Sequence, residues 1–143
     1  MRGDGLNERP TPQDHSPPPP SRSADLSAFA WLLFRLDGRI GREAYWLGLL
    51  LVFAIFGIAG DLVAADLEPE AALNALLPLL LIGMWSQIAL MAKRCHDRNL
   101  SGWFALISLI PIVGLAWSVI IGVLPGDAGP NRFGPERDVR PPR

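Results

Sequence analysis

Three long runs without a charged residue occupy positions 44–60, 71–92 and 99–126 of the chain, and apolar residues dominate each run. A helix needs about 20 residues to cross a hydrocarbon core of roughly 30 Å. The second and third runs, of 22 and 28 residues, reach that length, and the first reaches it when it continues past Asp61 to position 65. This pattern predicts an all-α integral membrane protein, a small helical bundle of about three apolar segments.

A shorter apolar pattern precedes the first run. Leu26, Phe29 and Leu33 follow the spacing of a single helical face. The thirteen residues from 24 to 36 are too few to span a bilayer. We therefore expect an interfacial amphipathic helix that leads into a basic link, over residues 24–43 together. A helix packed against the bundle is the alternative.

The third run contains a signal for a break in its middle. Its 28 residues extend about 42 Å as a helix, which suffices for one tilted crossing but not for two. Pro111 removes a helical hydrogen bond and restricts Ile110 before it, and Gly114 follows closely. We expect this segment to be broken into a re-entrant hairpin, and a kinked third crossing is the alternative.

Lysine and arginine indicate which links face the cytoplasm. Basic residues precede the first run and separate the second run from the third, whereas only acidic residues separate the first from the second. Positively charged links stay on the cytoplasmic side of a membrane. A hairpin would bring the basic C-terminal residues to that side as well, so both termini are predicted to be cytoplasmic.

Composition divides the chain further and excludes several kinds of site. Residues 1–23 hold six of the fourteen prolines and are predicted to form a disordered tail, whereas 44–126 form the transmembrane helical domain and 127–143 a Gly/Pro-rich tail. Because the chain has only one cysteine and two histidines, we predict no metal, catalytic or cofactor-binding residues. The net charge of −1 gives no indication of nucleic-acid binding.

Four arginines and one aspartate form the candidate site. Arg39 and Arg42 lie on the link before the first run, and Arg94, Asp97 and Arg98 lie on the link before the third. These links must be close in a compact bundle. A structural ion-pair network is the first interpretation, because Asp97 lies among the arginines. Binding of anionic lipid or phosphate is the second, since each juxtamembrane cation attracts anionic lipid by roughly 1 kcal/mol.

Aromatic residues open two of the apolar runs. Tyr45 and Trp46 begin the first run, and Trp103 begins the third. Tyrosine and tryptophan are enriched at both membrane–water interfaces, where their rings meet the headgroups. These three residues are therefore expected to be interface anchors.

Three motifs, in this order along the chain, resemble those of a known family. They read FRLDGRIGREAYW at 34–46, RCHDRNLSGWF at 94–104 leading into IPIVG at 110–114, and PG at 125–126 followed by GPNRFGP at 129–135. Together they resemble the bacterial inner-membrane family numbered 805 among the domains of unknown function, the YhaH-like proteins, over about residues 29–136. The resemblance implies a multi-pass protein of the bacterial inner membrane with no established activity.

The resulting hypothesis is a non-enzymatic inner-membrane protein. Its basic cytoplasmic face would contact anionic lipid headgroups of the bilayer, a partner protein or a second copy of the chain. The alternative is an accessory component of a membrane transport system. The apolar runs carry polar residues such as Asn74, Ser86 and Gln87 but nothing ionisable, which gives ion-coupled transport little support.

Overall fold

The computed structural model describes residues 22–141, apart from the side chains of 22–25 and 66. This part of the chain forms four α-helices and one 3-10 helix, with no β-strand beyond an isolated bridge between Asn131 and Gly134. The predicted all-α class is therefore confirmed. The elements are α1 (Arg22–Phe34), α2 (Arg42–Asp66), α3 (Pro69–Asp97), the 3-10 helix (Gly102–Leu109) and α4 (Val113–Val123).

Helices α2 and α3 form a long antiparallel hairpin. Both are long and apolar enough to cross a membrane, over Arg42–Ala65 and Pro69–Asp97. Only 17% of the apolar stretch of α2 and 33% of that of α3 is buried within the protein, so most of their apolar surface faces outward. Lipid is the medium in which such a surface is stable.

The third apolar run is broken, and its two halves lie side by side. The 3-10 helix ends at Leu109 and α4 begins at Val113, with a tight turn around Ile112 between them. Gly114 is required here, because a Cβ at this position would lie 2.5 Å from the carbonyl oxygen of Ser108. The predicted break at residues 110–114 coincides with this turn.

The hairpin formed by the 3-10 helix and α4 begins and ends at the same end of α3. It starts just after α3 ends, and Arg94 near the end of α3 donates from Nε to the carbonyl of Ile121 near the end of α4, at 3.0 Å. The loop after α4 also packs there, since the Asp127 amide donates to the Asp97 carbonyl at 2.8 Å. The link before α2, the end of α3 and the C-terminal loop thus meet at one end, which we call the packed end.

Helix α1 docks on α3 at the packed end. Its Trp31 is buried, whereas Leu26 and Phe29 are exposed. α1 begins at Arg22, two residues before the predicted start, and the rest of the predicted tail, residues 1–21, lies outside the described residues. An interfacial position for α1 stays a prediction.

Candidate functional site

Asp97 is the centre of a group of ion pairs at the packed end. Its carboxylate accepts from Arg39 Nη2 at 3.0 Å, from Arg94 Nη1 at 2.5 Å and from Arg137 Nε at 2.7 Å. The side chains of Asp97, Arg39 and Arg94 are essentially inaccessible to solvent, and that of Arg137 is partly exposed. We call these four residues the Asp97 cluster.

Each member of the cluster is supplied by a different part of the chain, except that α3 provides two. Asp97 is the last residue of α3, and Arg94 lies three positions earlier on the same face. Arg39 comes from the link between α1 and α2, and Arg137 comes from the C-terminal loop. The cluster therefore joins three segments that are distant in sequence.

The remaining guanidinium donors of Arg39 bind backbone carbonyls of the C-terminal loop. Nη1 donates to Gly129 O at 2.7 Å and to Gly134 O at 3.1 Å, and Nη2 donates to Asp127 O at 2.9 Å. Buried carbonyls need donors, and arginine offers five in a fixed planar arrangement. Arg39 thus holds the loop against the end of α3.

Arg94 does the same for α4. Beyond its bond to Ile121, its Nη2 donates to the carbonyl of Leu124, just past the last residue of α4. The last four carbonyls of a helix have no partner within the helix. Arg94 satisfies two carbonyls in this region, so it binds the returning half of the hairpin to α3.

Gly126 allows the loop to approach the carboxylate. A Cβ at this position would overlap the Asp97 side chain. The Pro-Gly sequence that follows α4 therefore serves close packing as well as turning the chain.

Lys93 makes a second buried anchor, towards α1. Its Nζ donates to the carbonyls of Trp31 at 2.9 Å, Leu32 at 2.6 Å and Arg35 at 2.6 Å, and it lies 5.1 Å from the centre of the Trp31 ring. A cation at a helix C-terminus interacts favourably with the helix dipole and the free carbonyls. Lys93 thereby fixes the end of α1 on α3.

His96 connects the segment between α1 and α2 to the C-terminal loop. Its Nδ1 lies 3.1 Å from Gly38 O, and its ring stacks on Phe133 with centroids 3.8 Å apart. Asn131 Nδ2 donates to the His96 carbonyl at 2.8 Å, while Asn131 Oδ1 accepts from the Phe133 amide. The residues after α4 are thus an ordered part of the packed end.

The structure brings together three of the five predicted site residues, Arg39, Arg94 and Asp97. The other two, Arg42 and Arg98, lie outside the cluster, and a lipid- or phosphate-binding role for them stays a prediction. Arg42 is exposed at the first turn of α2, and Arg98 donates to Pro125 O at 2.7 Å instead of pairing with Asp97. The start of α2 turns Arg42 away from the link, and Arg98 follows the last turn of α3.

The three expected interface anchors differ in their exposure. Tyr45 is only 1% exposed, and its hydroxyl donates to Ser118 O at 3.3 Å, because α4 packs over this face of α2. Trp46 and Trp103 have exposed rings, and Trp103 is 79% exposed. An interfacial role for the three residues stays a prediction.

Sequence reasoning missed two residues of the packed end, Arg137 and Lys93, as partners in its network. Both residues stand out in the sequence only as members of basic segments. Lys93 binds carbonyls at least 58 positions away, and Arg137 pairs with Asp97, 40 positions away. Within residues 22–141, no group of three His, Cys, Asp or Glu side chains could hold a metal ion.

These features define a class: a helical membrane protein in which two long helices and a broken apolar hairpin are joined at one end by buried arginines. The chain belongs to the family described as Protein of unknown function (DUF805), whose profile matches residues 33–135. The predicted family is thereby confirmed. The matched region contains Arg39, Arg94 and Asp97 and ends two residues before Arg137.

Several relatives from Escherichia coli K12 support this assignment. The chain is 30% identical to the inner membrane protein YhaH over 108 residues, 73% of this chain and 88% of the relative. It is 31% identical to the inner membrane protein YhaI over 98 residues, 68% and 81% of the two chains. It is 35% identical to the uncharacterized protein YiiR over 97 residues, 64% and 62%. No solved structure shows a significant match. The protein is an inner-membrane protein of this family.

Proposed function

We propose that this chain is a non-enzymatic inner-membrane protein whose packed end lies in the cytoplasm and contacts anionic lipid headgroups through exposed arginines. The observation that carries the proposal is the distribution of charge between the two ends of the molecule. All lysines and arginines from residue 26 to residue 141 belong to the packed end, whereas the link between α2 and α3 is surrounded by acidic residues alone. Segments rich in arginine are retained in the cytoplasm.

The buried arginines are not the ones that would meet lipid. Arg39 and Arg94 are inaccessible and hold carbonyls and Asp97, which favours the structural interpretation of the cluster over an open phosphate site. Their removal from water is compensated only within the protein. This arrangement also supports a non-enzymatic role, because the buried arginines and Asp97 bind one another and backbone carbonyls and do not face a substrate.

Arg42 and Arg140 are two cations of the packed end whose side chains are available to anionic lipid. Arg42 is exposed and Arg140 is half-buried, and neither side chain has a hydrogen-bond partner among the described residues. Both belong to the packed end, Arg42 at the start of α2 and Arg140 two residues after Asp138, whose carboxylate accepts from the Gly41 amide at 2.8 Å. Each cation near an anionic leaflet attracts lipid by about 1 kcal/mol.

The test is the lipid composition around the protein. The full chain is extracted from membranes with a polymer that retains the surrounding lipid, and the lipid is compared with that of the bulk membrane. We expect enrichment of anionic phospholipid, a clear loss of enrichment in the Arg42→Gln, Arg140→Gln double variant, and retention in the matched Arg42→Lys, Arg140→Lys variant. Equal composition around all three proteins would contradict the proposal.

A further inference from the structure

An apolar cleft of about 440 Å³ opens between α3, the 3-10 helix and the C-terminal loop. Trp85, Ile88 and Ala92 of α3 form one wall, and Trp103 and Leu106 of the 3-10 helix form the other. The cleft is open along the side on which the ring of Trp103 and the side chain of Leu106 are exposed. It therefore faces the surroundings of the bundle and not its interior.

The cleft extends along α3 for the depth of one lipid leaflet. The residues of α3 that line it run from Trp85 to His96, and eleven helical steps correspond to about 16 Å. Half of a hydrocarbon core of roughly 30 Å is nearly the same length. A lipid acyl chain is the apolar group that is present at this depth in every membrane.

The end of the cleft nearest the Asp97 cluster is polar. His96 lines it and is 8% exposed, and since its Nδ1 faces the carbonyl of Gly38, that nitrogen carries the hydrogen. Nε2 is then an acceptor without a partner among the described residues. It faces Gly102, where a Cβ would lie 2.8 Å away, so the absence of a side chain at this position leaves room beside Nε2.

A cation and a hydroxyl lie at the same end of the cleft. The exposed guanidinium of Arg132 donates from Nη2 to Asn99 O at 2.9 Å and lies 4.7 Å from the centre of the Phe133 ring. That ring lines the cleft and stacks on His96. Ser101 also lines the cleft, and its hydroxyl does not cap the 3-10 helix that it precedes. The mouth thus combines positive charge with a donor and an acceptor.

We propose that this cleft binds one glycerophospholipid with an anionic, hydroxylated headgroup, such as phosphatidylglycerol. One acyl chain lies against Ile88 and Leu106, the phosphate meets Arg132 and Ser101, and a headgroup hydroxyl donates to His96 Nε2. The inference rests on the proposed function in placing the packed end at the level of lipid headgroups. It goes further in assigning one lipid to a defined site.

The experiment is native mass spectrometry of the purified full chain, with phosphatidylglycerol, phosphatidylethanolamine or phosphatidylcholine added in turn. We expect one phosphatidylglycerol molecule to be retained in preference to the other two lipids. Leu106→Trp fills the cleft and should lower this retention by about tenfold, since displacing two methylene groups has an effect of that size. Leu109→Trp is the matched control, because Leu109 lies one turn further along the 3-10 helix, is similarly exposed and does not line the cleft.

The headgroup contacts are tested separately. Arg132→Gln should reduce the preference for phosphatidylglycerol over phosphatidylcholine by about fivefold. Gly102→Ala, which places a methyl group beside His96 Nε2, should lower the preference as well, with thermal unfolding measured to show that both variants fold.

The outcomes separate this inference from the proposed function. Equal retention of a single phosphatidylglycerol by the wild type and by Leu106→Trp would overturn the cleft site, even if anionic lipid is enriched around the protein. Loss of retention in Leu106→Trp alone, without enrichment around the wild type, would support the cleft and contradict the broader proposal.

Discussion

At the scale of the residue, the main feature is one buried carboxylate that serves three guanidinium groups. Removal of ions from water costs several kcal/mol per ion, so such a cluster persists only when each group has partners. Asp97 supplies the charge, and the carbonyls of residues 121–134 supply the other acceptors for Arg39 and Arg94. The arginines connect separate backbone segments by donating hydrogen bonds to carbonyls that would otherwise be buried and unpaired.

The first prediction at this scale concerns Asp97→Asn. The variant keeps the shape of the side chain but leaves two buried arginines without their counter-charge, and we expect the free energy of unfolding to fall by about 3–5 kcal/mol. Unfolding of the detergent-solubilised protein by a denaturing detergent measures this change. Asp37→Asn is the matched control: Asp37 pairs with Arg35 at 2.7 Å with both side chains more than a third exposed, so the expected loss is about 0–1 kcal/mol. Similar losses for the two variants would show that the Asp97 cluster is not a structural centre.

At the scale of the element, the break in the third run leaves backbone amides and carbonyls that need hydrogen-bond partners. A turn at membrane depth exposes amides and carbonyls that lipid cannot satisfy. Here the Val113 amide donates to Pro111 O at 2.7 Å and the Gly114 amide donates to Ile110 O at 2.6 Å, so the turn pairs its own groups. The turn strains the backbone at Ile112, because its φ of 65° and ψ of −59° are unfavourable for a β-branched residue.

Ile112→Gly should therefore stabilise the protein. Relief of backbone strain is worth about 1–3 kcal/mol, and glycine loses about 0.5–1 kcal/mol through its greater freedom in the unfolded chain. Because the Ile112 side chain is 84% exposed, its removal sacrifices little packing. We expect a net gain of roughly 1 kcal/mol in the same unfolding measurement. Ile110→Gly, at an ordinary φ of −86°, should instead lower stability by about 0.5–1 kcal/mol; the reverse order would mean that the turn is not strained.

At the scale of the whole molecule, the buried hydrogen bonds and ion pairs between segments are concentrated at one end. The three anchors described above, the Asp97 cluster, Lys93 and the His96 stack, all lie at the packed end, while the far halves of α2 and α3 contact little besides each other. The α2–α3 hairpin thus projects from a compact base. Lipid completes the packing of its apolar surface, and the base carries the charged groups.

This arrangement predicts that the C-terminus is cytoplasmic. A fluorescent reporter that matures only in the cytoplasm, fused after residue 143, should be active, and a phosphatase that works only in the periplasm should be silent there. The same phosphatase inserted between α2 and α3, at Leu67 and Glu68, should be active and serves as the control. Phosphatase activity from the C-terminal fusion would show that the third run crosses the membrane instead of returning.

The apolar runs, the break in the third and the common side of the basic links follow from local properties of the chain. Length without charge indicates a membrane span, Pro111 disfavours a continuous helix, and arginine position indicates orientation. Each of these signals depends on residues within one helix or one link, so it is readable without knowing how the elements pack.

Only the packing decides which charges meet. Asp97 pairs with Arg39, 58 positions away, and with Arg137, 40 positions away, while the nearby Arg98 turns to Pro125. The direction of Tyr45 depends in the same way on α4, which covers one face of α2 and exposes another. Such pairings arise when distant segments are brought together by folding, because burial then favours, among many possible partners, those that give buried carboxylates and carbonyls a hydrogen-bond donor.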